Sequence, residues 1–529
     1  MTGCPRHTVF PPLLWLAVAA TVVVAVTTAA AVVSSADDGT AAVAETAGDG
    51  GDGSDGGGGG FLDGVFPFKA LQLYNAVASY LEYFYDAVIA PIAGGISNRK
   101  QIPNRVSYKK YQLIRVVPTD EDEVLDIEAM SEEPGVQVWM PIRLNKTADL
   151  VLPPSVARDV KRFLSQREIE FVVVSSDLER SIAKQNPKSP SLNQKSELKA
   201  TKGHTMTWNR YHRYQDILDY LMYLSEHYPH LVELLPIGKT SEGRQLKVVK
   251  ISSGQTKENV VKPAIWIDGG IHAREWIAPA VALYVMRQLV ENKSYRKLVS
   301  EVDWYILPVV NADGYEYSHT TDRLWRKSRS VATESARTLW DTSYGCEGVD
   351  LNRNWDWHWG GVGASRDPCS DTYAGSRAFS EPETRAVSDF LLDHRDRIQV
   401  YLTLHSYSQM WLVPWSHTKK LADDYDDMMY LARQATESIQ RVHGSQYQLG
   451  TSPSLLYATS GGSDDWAKGK AGIKYSYTVE LPDKGVYGFL LPAEKIVPTS
   501  KEIFTGIKSI VKSIMKINGA KEKTESTGR

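Results

Sequence analysis

The stretch Ala264-Ile-Trp-Ile-Asp-Gly-Gly-Ile271 decides the fold, because apolar and β-branched residues run together there and include a pair of glycines. A short apolar run bounded by turn residues is typical of a strand that is buried on both faces. The apolar stretch that follows, residues 278–291, is long enough for a helix. A buried strand followed by a helix predicts an α/β unit.

The same alternation extends over residues 205–518. Long buried strands that alternate with helices imply an α/β fold with a central sheet covered by helices on both faces. In such folds the chemistry collects at the carboxyl ends of the strands. Further strands are predicted at 304–310, 400–404 and 473–479, and further helices at 382–396 and 500–516. The polar residues found just past the predicted strands are His272, Asn311, His405 and Glu480.

The residues before this domain divide by composition. Residues 1–36 predict an export signal, because Arg6 precedes the uncharged stretch 13–33 and small residues follow it. The stretch is also long enough to span a bilayer, so an uncleaved signal anchor remains the alternative. Residues 37–60 are rich in Gly and Asp and predict a disordered spacer. Residues 61–104 are rich in aromatic side chains, and their role is unknown.

Two segments then precede the large domain. Residues 105–183 predict a small α+β unit by their alternating strand-like and helix-like patterns. Residues 184–204 are polar and rich in lysine, which predicts a linker that trypsin can cut. A small folded module, a cuttable linker and a large domain form the order of a proenzyme. Residues 519–529 predict a polar tail.

Composition excludes several classes of protein. The chain of 529 residues is 42% hydrophobic and 23% charged, which excludes collagen-like, wholly disordered and polytopic membrane proteins. The net charge is -3 and the sequence has no long basic run, so it gives no indication of nucleic-acid binding. If the signal is removed, Cys4 goes with it and Cys346 and Cys369 remain. In an oxidising compartment this pair predicts one disulfide, and two buried free thiols are the alternative.

A metal site is indicated by His272 and Glu275, which are three residues apart and can point at one ion. With the distant His405 they make a set of two histidines and one glutamate. Three protein ligands and one open position are the arrangement of a catalytic zinc site. The His-x-x-Glu pattern alone is weak evidence for a metal site, because such pairs are common by chance and most lie on surfaces.

The sequence resembles the zinc metallocarboxypeptidases of the pancreatic carboxypeptidase A/B type. The resemblance covers residues 205–518, and residues 105–203 resemble the family's activation propeptide. It implies a mixed central sheet with helices on both faces, preceded by the α+β propeptide. The segments that carry it are His272-Ala-Arg-Glu-Trp276, Asn311-Ala-Asp-Gly-Tyr315, Arg323-Leu-Trp-Arg-Lys327, Gly348-Val-Asp-Leu-Asn-Arg-Asn-Trp355, Phe379-Ser-Glu-Pro-Glu-Thr384, Leu404-His-Ser-Tyr-Ser-Gln409, Ser460-Gly-Gly-Ser-Asp-Asp-Trp466 and Gly472-Ile-Lys-Tyr-Ser-Tyr-Thr-Val-Glu480.

The resemblance also implies roles for single residues. One zinc ion per chain would be held by His272, Glu275 and His405, and Asp350 would hydrogen-bond the ring of His272. The expected catalytic residues are Glu480 as general base and Arg326 as the cation that stabilises the oxyanion. Asn352, Arg353 and Tyr457 are expected to bind the substrate's free carboxylate. The expected outer-subsite contacts are Arg274 and Tyr407.

The pocket for the C-terminal side chain is expected to contain Asp464, with Ser416 as a second polar wall. An unpaired carboxylate in a closed pocket favours a substrate cation, so the resemblance implies a preference for Lys or Arg over apolar residues. The alternative is that Lys468 or Lys470 neutralises Asp464 and leaves a mixed pocket.

The expected protein is therefore a secreted zinc exopeptidase that acts on peptide and protein C-termini and is made as a proenzyme. A trypsin-like protease would activate it by cutting within residues 195–204. No nucleic-acid partner is expected, and a membrane is expected only if residues 13–33 are not cleaved. The alternatives are a catalytically silent binding protein, which should lack a ligand or the base, and an aspartoacylase-like amidohydrolase, which should lack the Asn-Arg carboxylate grip.

Overall fold

The computed structural model describes residues 105–187, 203–254, 262–331 and 346–527, with side chains as far as residue 519. The predicted signal or anchor, the spacer 37–60 and the aromatic segment 61–104 lie outside these residues. Most of the predicted cleavage segment 184–204 also lies outside them. Within the described part of the chain, no helix is both long enough and apolar enough to cross a bilayer.

Residues 105–187 form a four-stranded antiparallel sheet with the strand order β2-β3-β1-β4. The strands are β1 Gln112–Val116, β2 Gln137–Met140, β3 Ala148–Leu152 and β4 Phe171–Ser175. The helices are α1 Glu121–Ser131, α2 Ala157–Gln166 and α3 Leu178–Gln185. These strands and helices confirm the α+β character that the sequence predicts for this unit.

The two faces of this small sheet pack against different partners. Ile114 and Leu150 belong to a core that includes Leu164 of α2. Their neighbours Leu113 and Val151 point to the other face, where they share a cluster with residues of the large domain such as Phe489. The small sheet therefore lies between its own helices and the large domain.

The large domain contains an eight-stranded mixed sheet with the order β11-β10-β12-β9-β7-β8-β6-β5, which confirms the predicted fold class. The strands are β5 Val232–Lys239, β6 Gln245–Ile251, β7 Ala264–Gly269, β8 Asp303–Leu307, β9 Ile398–Ser406, β10 Met410–Val413, β11 Gln448–Thr451 and β12 Tyr475–Leu481. The α-helices are α4 Tyr214–His227, α5 Ile277–Glu291, α6 Arg296–Glu301, α7 Ala312–Thr320, α8 Pro382–His394, α9 Tyr425–His443, α10 Ser452–Leu455, α11 Ser463–Gly469 and α12 Ile496–Thr527. Since α12 reaches Thr527, the predicted polar tail is helical up to that residue.

Helices cover both faces of this sheet. Successive side chains of a strand point to opposite faces. Ile265 and Ile267 of β7 join a cluster with α4, α5, α9 and α12. Ala264 and Trp266 of the same strand join a second cluster with α8 and α11. β7 is therefore buried on both sides, as its sequence predicts.

The central strands bring the candidate site together at one edge. β7, β9 and β12 are adjacent and parallel, so their carboxyl ends lie side by side. Glu480 of β12 lies directly opposite His405 of β9. The prediction that these two residues follow their strands is wrong by a short distance, because β9 and β12 stay paired as far as Ser406 and Leu481.

Asn311 follows β8 but does not enter the site. Its side-chain oxygen accepts a hydrogen bond from the backbone of Gly314 at 2.9 Å and so caps α7. Its amide nitrogen donates to the carbonyl of Lys327 at 2.9 Å. Asn311 therefore holds the chain around the site in place.

A buried carboxyl group lies against the turn between β5 and β6. Glu383 accepts hydrogen bonds from the backbone of Ser241 at 2.9 Å and from its hydroxyl at 3.2 Å. The second oxygen of Glu383 is buried and has no hydrogen-bond partner among the described residues. Burial raises the pKa of Glu383 to about 7.

Candidate functional site

Three buried side chains converge at the edge where β7 and β9 end. The Nδ1 atom of His272 lies 2.7 Å from Oε1 of Glu275, and Nδ1 of His405 lies 3.2 Å from Oε2 of Glu275. The two Nδ1 atoms are 3.2 Å apart. One ligand atom from each residue lies within 4.8 Å of the others, the one such group found among the described residues.

The spacing of the two imidazoles fits a metal ion. Two nitrogen ligands that lie 2.0–2.1 Å from one tetrahedral zinc ion are about 3.3 Å apart. His272 and His405 place their Nδ1 atoms at 3.2 Å, both facing the carboxylate of Glu275. Two imidazole nitrogens and one carboxylate are a donor set that zinc prefers. These residues therefore fit the predicted zinc site.

Asp350 holds the other side of the His272 ring. Its Oδ1 lies 3.1 Å from Nε2 of His272, which leaves Nδ1 directed at the metal position. Its Oδ2 accepts two hydrogen bonds from Arg326, at 3.0 and 2.8 Å. Burial alone would raise the pKa of Asp350, but Arg326, Arg353 and His272 together hold it well below its usual range. Asp350 is therefore an ionised acceptor that fixes both a ligand and a cation.

Glu480 and Arg326 line the cleft together with the three candidate ligands. Burial raises the pKa of Glu480 to about 8, with further contributions from Glu275 and Asp464, while His405 and Arg326 oppose the shift. A bound divalent cation would lower this pKa again. Glu480 is thus a buried carboxyl group in the cleft beside the candidate metal ligands, the position that a general base requires.

A second part of the cleft is suited to a carboxylate. The guanidinium of Arg353 is buried and donates from Nη2 to the hydroxyl of Tyr457 at 3.3 Å. Asn352, the neighbouring residue, also lines the cleft, and its side-chain oxygen accepts from the backbone of Ser463 at 2.9 Å. The structure thus brings together the three residues predicted to bind the free carboxylate.

Asp464 lies in the first turn of α11 and lines the same cleft. Its Oδ2 accepts a hydrogen bond from the hydroxyl of Ser416 at 2.8 Å. Burial and the neighbouring Asp465 raise the pKa of Asp464 to about 6. Lys468 pairs with Asp424 at 2.7 Å and Lys470 with Asp356 at 3.7 Å, so neither lysine neutralises Asp464.

The two predicted outer-subsite residues are placed differently. Tyr407 is buried and lines the cleft. Arg274 does not line it: its guanidinium carbon lies 4.4 Å from the centre of the Phe489 ring, and its Nη1 lies 3.2 Å from Asp371. Phe489, which the sequence reasoning missed, lines the cleft.

The cleft is covered by the small N-terminal unit. Trp139, Met140 and Pro141 of that unit complete its lining, and the remaining cavity is about 90 Å³. Ligand pockets are commonly about 300 Å³ or more, so the cleft as it stands is too small for a peptide end. Sequence reasoning predicted the unit but not its contacts, because the residues that meet are distant in the chain.

Asp149 of β3 makes a polar contact between the two parts next to the cleft. It accepts a hydrogen bond from the hydroxyl of Tyr407 at 2.7 Å. Within its own unit it accepts two more from Arg115, each at 2.7 Å. Asp149 is almost fully buried, and it stands within a run of apolar residues. That position was the one signal in the sequence that could have singled it out.

The predicted disulfide between Cys346 and Cys369 is present, with a sequence separation of 23 residues. It closes the loop that contains Asp350, Asn352 and Arg353. The alternative of two buried free thiols is therefore wrong.

Two family profiles match the chain. The profile described as zinc carboxypeptidase matches residues 217–506, and the profile described as carboxypeptidase activation peptide matches residues 114–185. The first match includes all three candidate metal ligands and the cleft residues that surround them. The second includes Trp139, which lines the cleft, and Asp149, which contacts Tyr407.

Named relatives include proteins of both the A and the B type. Carboxypeptidase B of Astacus astacus is 48% identical over 306 residues, which are 58% of this chain and 97% of that protein. Carboxypeptidase A2 of Mus musculus is 36% identical over 410 residues, 76% of this chain and 93% of that protein. The crystal structure of thrombin activatable fibrinolysis inhibitor is 34% identical, with a TM-score of 0.69, over 77% of this chain and 100% of that chain.

Proposed function

The chain belongs to the zinc carboxypeptidase family, and on that premise we propose that it removes C-terminal lysine or arginine from peptides. It is a zinc-dependent peptide hydrolase made with an activation peptide, as a proenzyme. The silent binding protein and the amidohydrolase are therefore set aside. The observation that carries the proposed preference is the buried Asp464 carboxylate, which lines the cleft and forms no ion pair with the described residues.

The preference follows from the cost of burying a charge. A carboxylate removed from water without a cation is destabilised by several kcal/mol, and a lysine or arginine side chain in the pocket would relieve that cost. An apolar side chain would leave Asp464 unpaired. Burial and Asp465 raise the pKa of Asp464, and a positively charged substrate side chain beside it would favour the ionised carboxylate.

The other cleft residues take the remaining roles of the reaction. Zinc on His272, Glu275 and His405 would lower the pKa of a bound water and polarise the scissile carbonyl. Glu480 would accept the proton of the attacking water and deliver it to the leaving amine. Arg326, held by Asp350, would stabilise the negative charge that develops on the carbonyl oxygen.

Binding of the substrate's free C-terminal carboxylate would make the enzyme an exopeptidase. The guanidinium of Arg353 can present two parallel N–H groups to the two oxygens of a carboxylate. Tyr457 and Asn352 stand beside it and would add hydrogen bonds. Internal peptide bonds have no carboxylate at this position, so the geometry selects the last residue of a chain.

Activation would require a cut between the two units. A trypsin-like protease acting within residues 195–204, after Lys199 or Lys202, would separate the unit that covers the cleft. These lysines lie outside the described residues. Loss of Trp139, Met140 and Pro141 from the cleft wall would then open it to peptides.

We also infer that the protein is exported. Its first 36 residues have the pattern of an export signal, and the disulfide between Cys346 and Cys369 is typical of oxidising compartments. The N-terminus of material recovered from culture medium, measured by mass spectrometry, distinguishes a cleaved signal from an anchor. Protein retained in membranes with residues 13–33 intact would contradict export as a soluble protein.

The preference is tested on the trypsin-treated protein with hippuryl-Arg and hippuryl-Phe. We expect a higher kcat/KM for hippuryl-Arg, and we expect Asp464→Ile to reverse the order. Asp356→Ile is the matched control, because Asp356 is an exposed carboxylate that pairs with Lys470 outside the cleft. A wild-type enzyme that prefers hippuryl-Phe would show that Asp464 does not define the pocket. His405→Ala should lose zinc, which metal analysis measures independently of activity.

A further inference from the structure

The specificity aspartate has a buried neighbour that faces the other way. Asp464 and Asp465 follow each other in α11, and both are buried. Only Asp464 lines the cleft. Asp465 instead accepts hydrogen bonds from a loop that follows β10: Oδ1 accepts from the backbone of Ser416 at 2.7 Å and Oδ2 from the backbone of His417 at 3.1 Å.

The side chain of His417 completes this set of contacts. Its Nδ1 lies 2.6 Å from Oδ2 of Asp465. Its ring stacks on that of His358, with centroids 3.9 Å apart and planes 16° from parallel. Among the described residues, His417 is the one basic side chain that pairs with Asp465. The imidazole is thus held on one side by stacking and on the other by a charge-assisted hydrogen bond.

Ser416 connects the two aspartates. Its backbone N–H donates to Asp465, and its hydroxyl donates to Asp464 at 2.8 Å. The position of the hydroxyl therefore depends on how firmly Asp465 holds the loop. If His417 no longer donated to Asp465, one carboxylate oxygen would lose its shortest contact and the loop its side-chain anchor.

We propose that His417 is a positioning residue of the specificity pocket: through Asp465 it holds Ser416 against Asp464, so that the Asp464 carboxylate faces the substrate's basic side chain. The proposal rests on the proposed preference for Lys and Arg. It gives His417 no contact with substrate and no part in the chemical step. Its effect should therefore fall on the binding of basic substrates.

The test compares two variants of the full chain after trypsin treatment. His417→Phe keeps an aromatic ring for stacking on His358 but removes the donor to Asp465. His417→Asn keeps a donor near the position of Nδ1, so it serves as the conservative variant. For His417→Phe we expect kcat/KM on hippuryl-Arg to fall about tenfold, through a higher KM with kcat within about twofold, equivalent to about 1.4 kcal/mol. For hippuryl-Phe we expect a change of less than about twofold, and His417→Asn should restore most of the loss.

The opposite results separate this inference from the proposed function. If Asp464→Ile abolishes the preference but His417→Phe leaves the ratio of the two substrates unchanged, the role of His417 is refuted and that of Asp464 stands. An equal loss on both substrates, or a lower kcat with an unchanged KM, would make His417 a structural residue and also refute the role. If Asp464→Ile itself leaves the ratio unchanged, both proposals fall. Zinc content and melting temperature of each variant show that it is folded.

Discussion

Removal of the Asp149 carboxylate should give the uncleaved chain measurable activity. In Asp149→Ala the hydroxyl of Tyr407 loses its 2.7 Å bond to the small unit. A hydrogen bond to a charged group contributes about 1.5–3 kcal/mol. The two bonds from Arg115 to Asp149 lie within the small unit, so their loss should contribute less to the free-energy difference between the covered and open states. Arg115 also keeps its 2.9 Å bond to the carbonyl of Gly485 in the large domain. We therefore expect the covered state to lose about 2 kcal/mol, which raises the open fraction about 30-fold.

The assay is the initial rate of hippuryl-Arg hydrolysis by the intact chain, with a gel to show that no cut has occurred. Trypsin treatment of the same sample then gives its full activity and corrects for inactive protein. Val172→Ala is the control, since Val172 is exposed on β4 of the same unit and its loss should leave the basal rate unchanged. Asp149→Asn should have a smaller effect than Asp149→Ala, because an amide oxygen can still accept from Tyr407. If intact Asp149→Ala is folded and fully activatable yet no more active than wild type, this contact does not hold the cover in place.

Three further outcomes are expected. Glu480→Gln should keep its zinc by metal analysis while kcat falls by roughly 10²–10⁴-fold; undiminished turnover would remove Glu480 from the mechanism. Between pH 5 and pH 8 the wild-type protein should lose about 2–3 kcal/mol more of its free energy of unfolding than Glu383→Gln loses, as measured by denaturant unfolding. The sign follows because a folded pKa of about 7, above the unfolded value near 4.5, favours folding at low pH and that advantage is lost as pH rises through 7; identical pH profiles would contradict it. Replacing Cys346 and Cys369 by serine should cost about 3 kcal/mol of stability for a closure of 23 residues, and an unchanged melting temperature would refute this.

The central strands could be predicted because their side chains are buried on both faces. β7 begins as an apolar run, and β12 is rich in aromatic and β-branched residues. His272, which follows β7, and Glu480, near the end of β12, both line the cleft. The hairpin of β5 and β6 and the short strands β10 and β11 gave weaker patterns and were not predicted. β10 and β11 have four residues each, too few for a period to stand out.

Contacts between distant segments could not be read from the sequence. Asp149 and Tyr407 are 258 positions apart, and no local pattern relates a strand of the small unit to the end of β9. The aspartate pair of α11 shows the same limit. The sequence singled out Asp464, but only the fold shows that Asp465 turns away from the cleft and binds His417.

The central claim is that this proenzyme, once cut, removes basic C-terminal residues. It is tested most directly by incubating the trypsin-treated protein with an equimolar mixture of two peptides that differ only in ending with Arg or Phe. Mass spectrometry then follows the loss of each terminal residue over time. We predict that the Arg peptide is shortened by one residue well before the Phe peptide, and that the uncut chain shortens neither. Earlier loss of Phe, or equal rates on both peptides, would contradict the account.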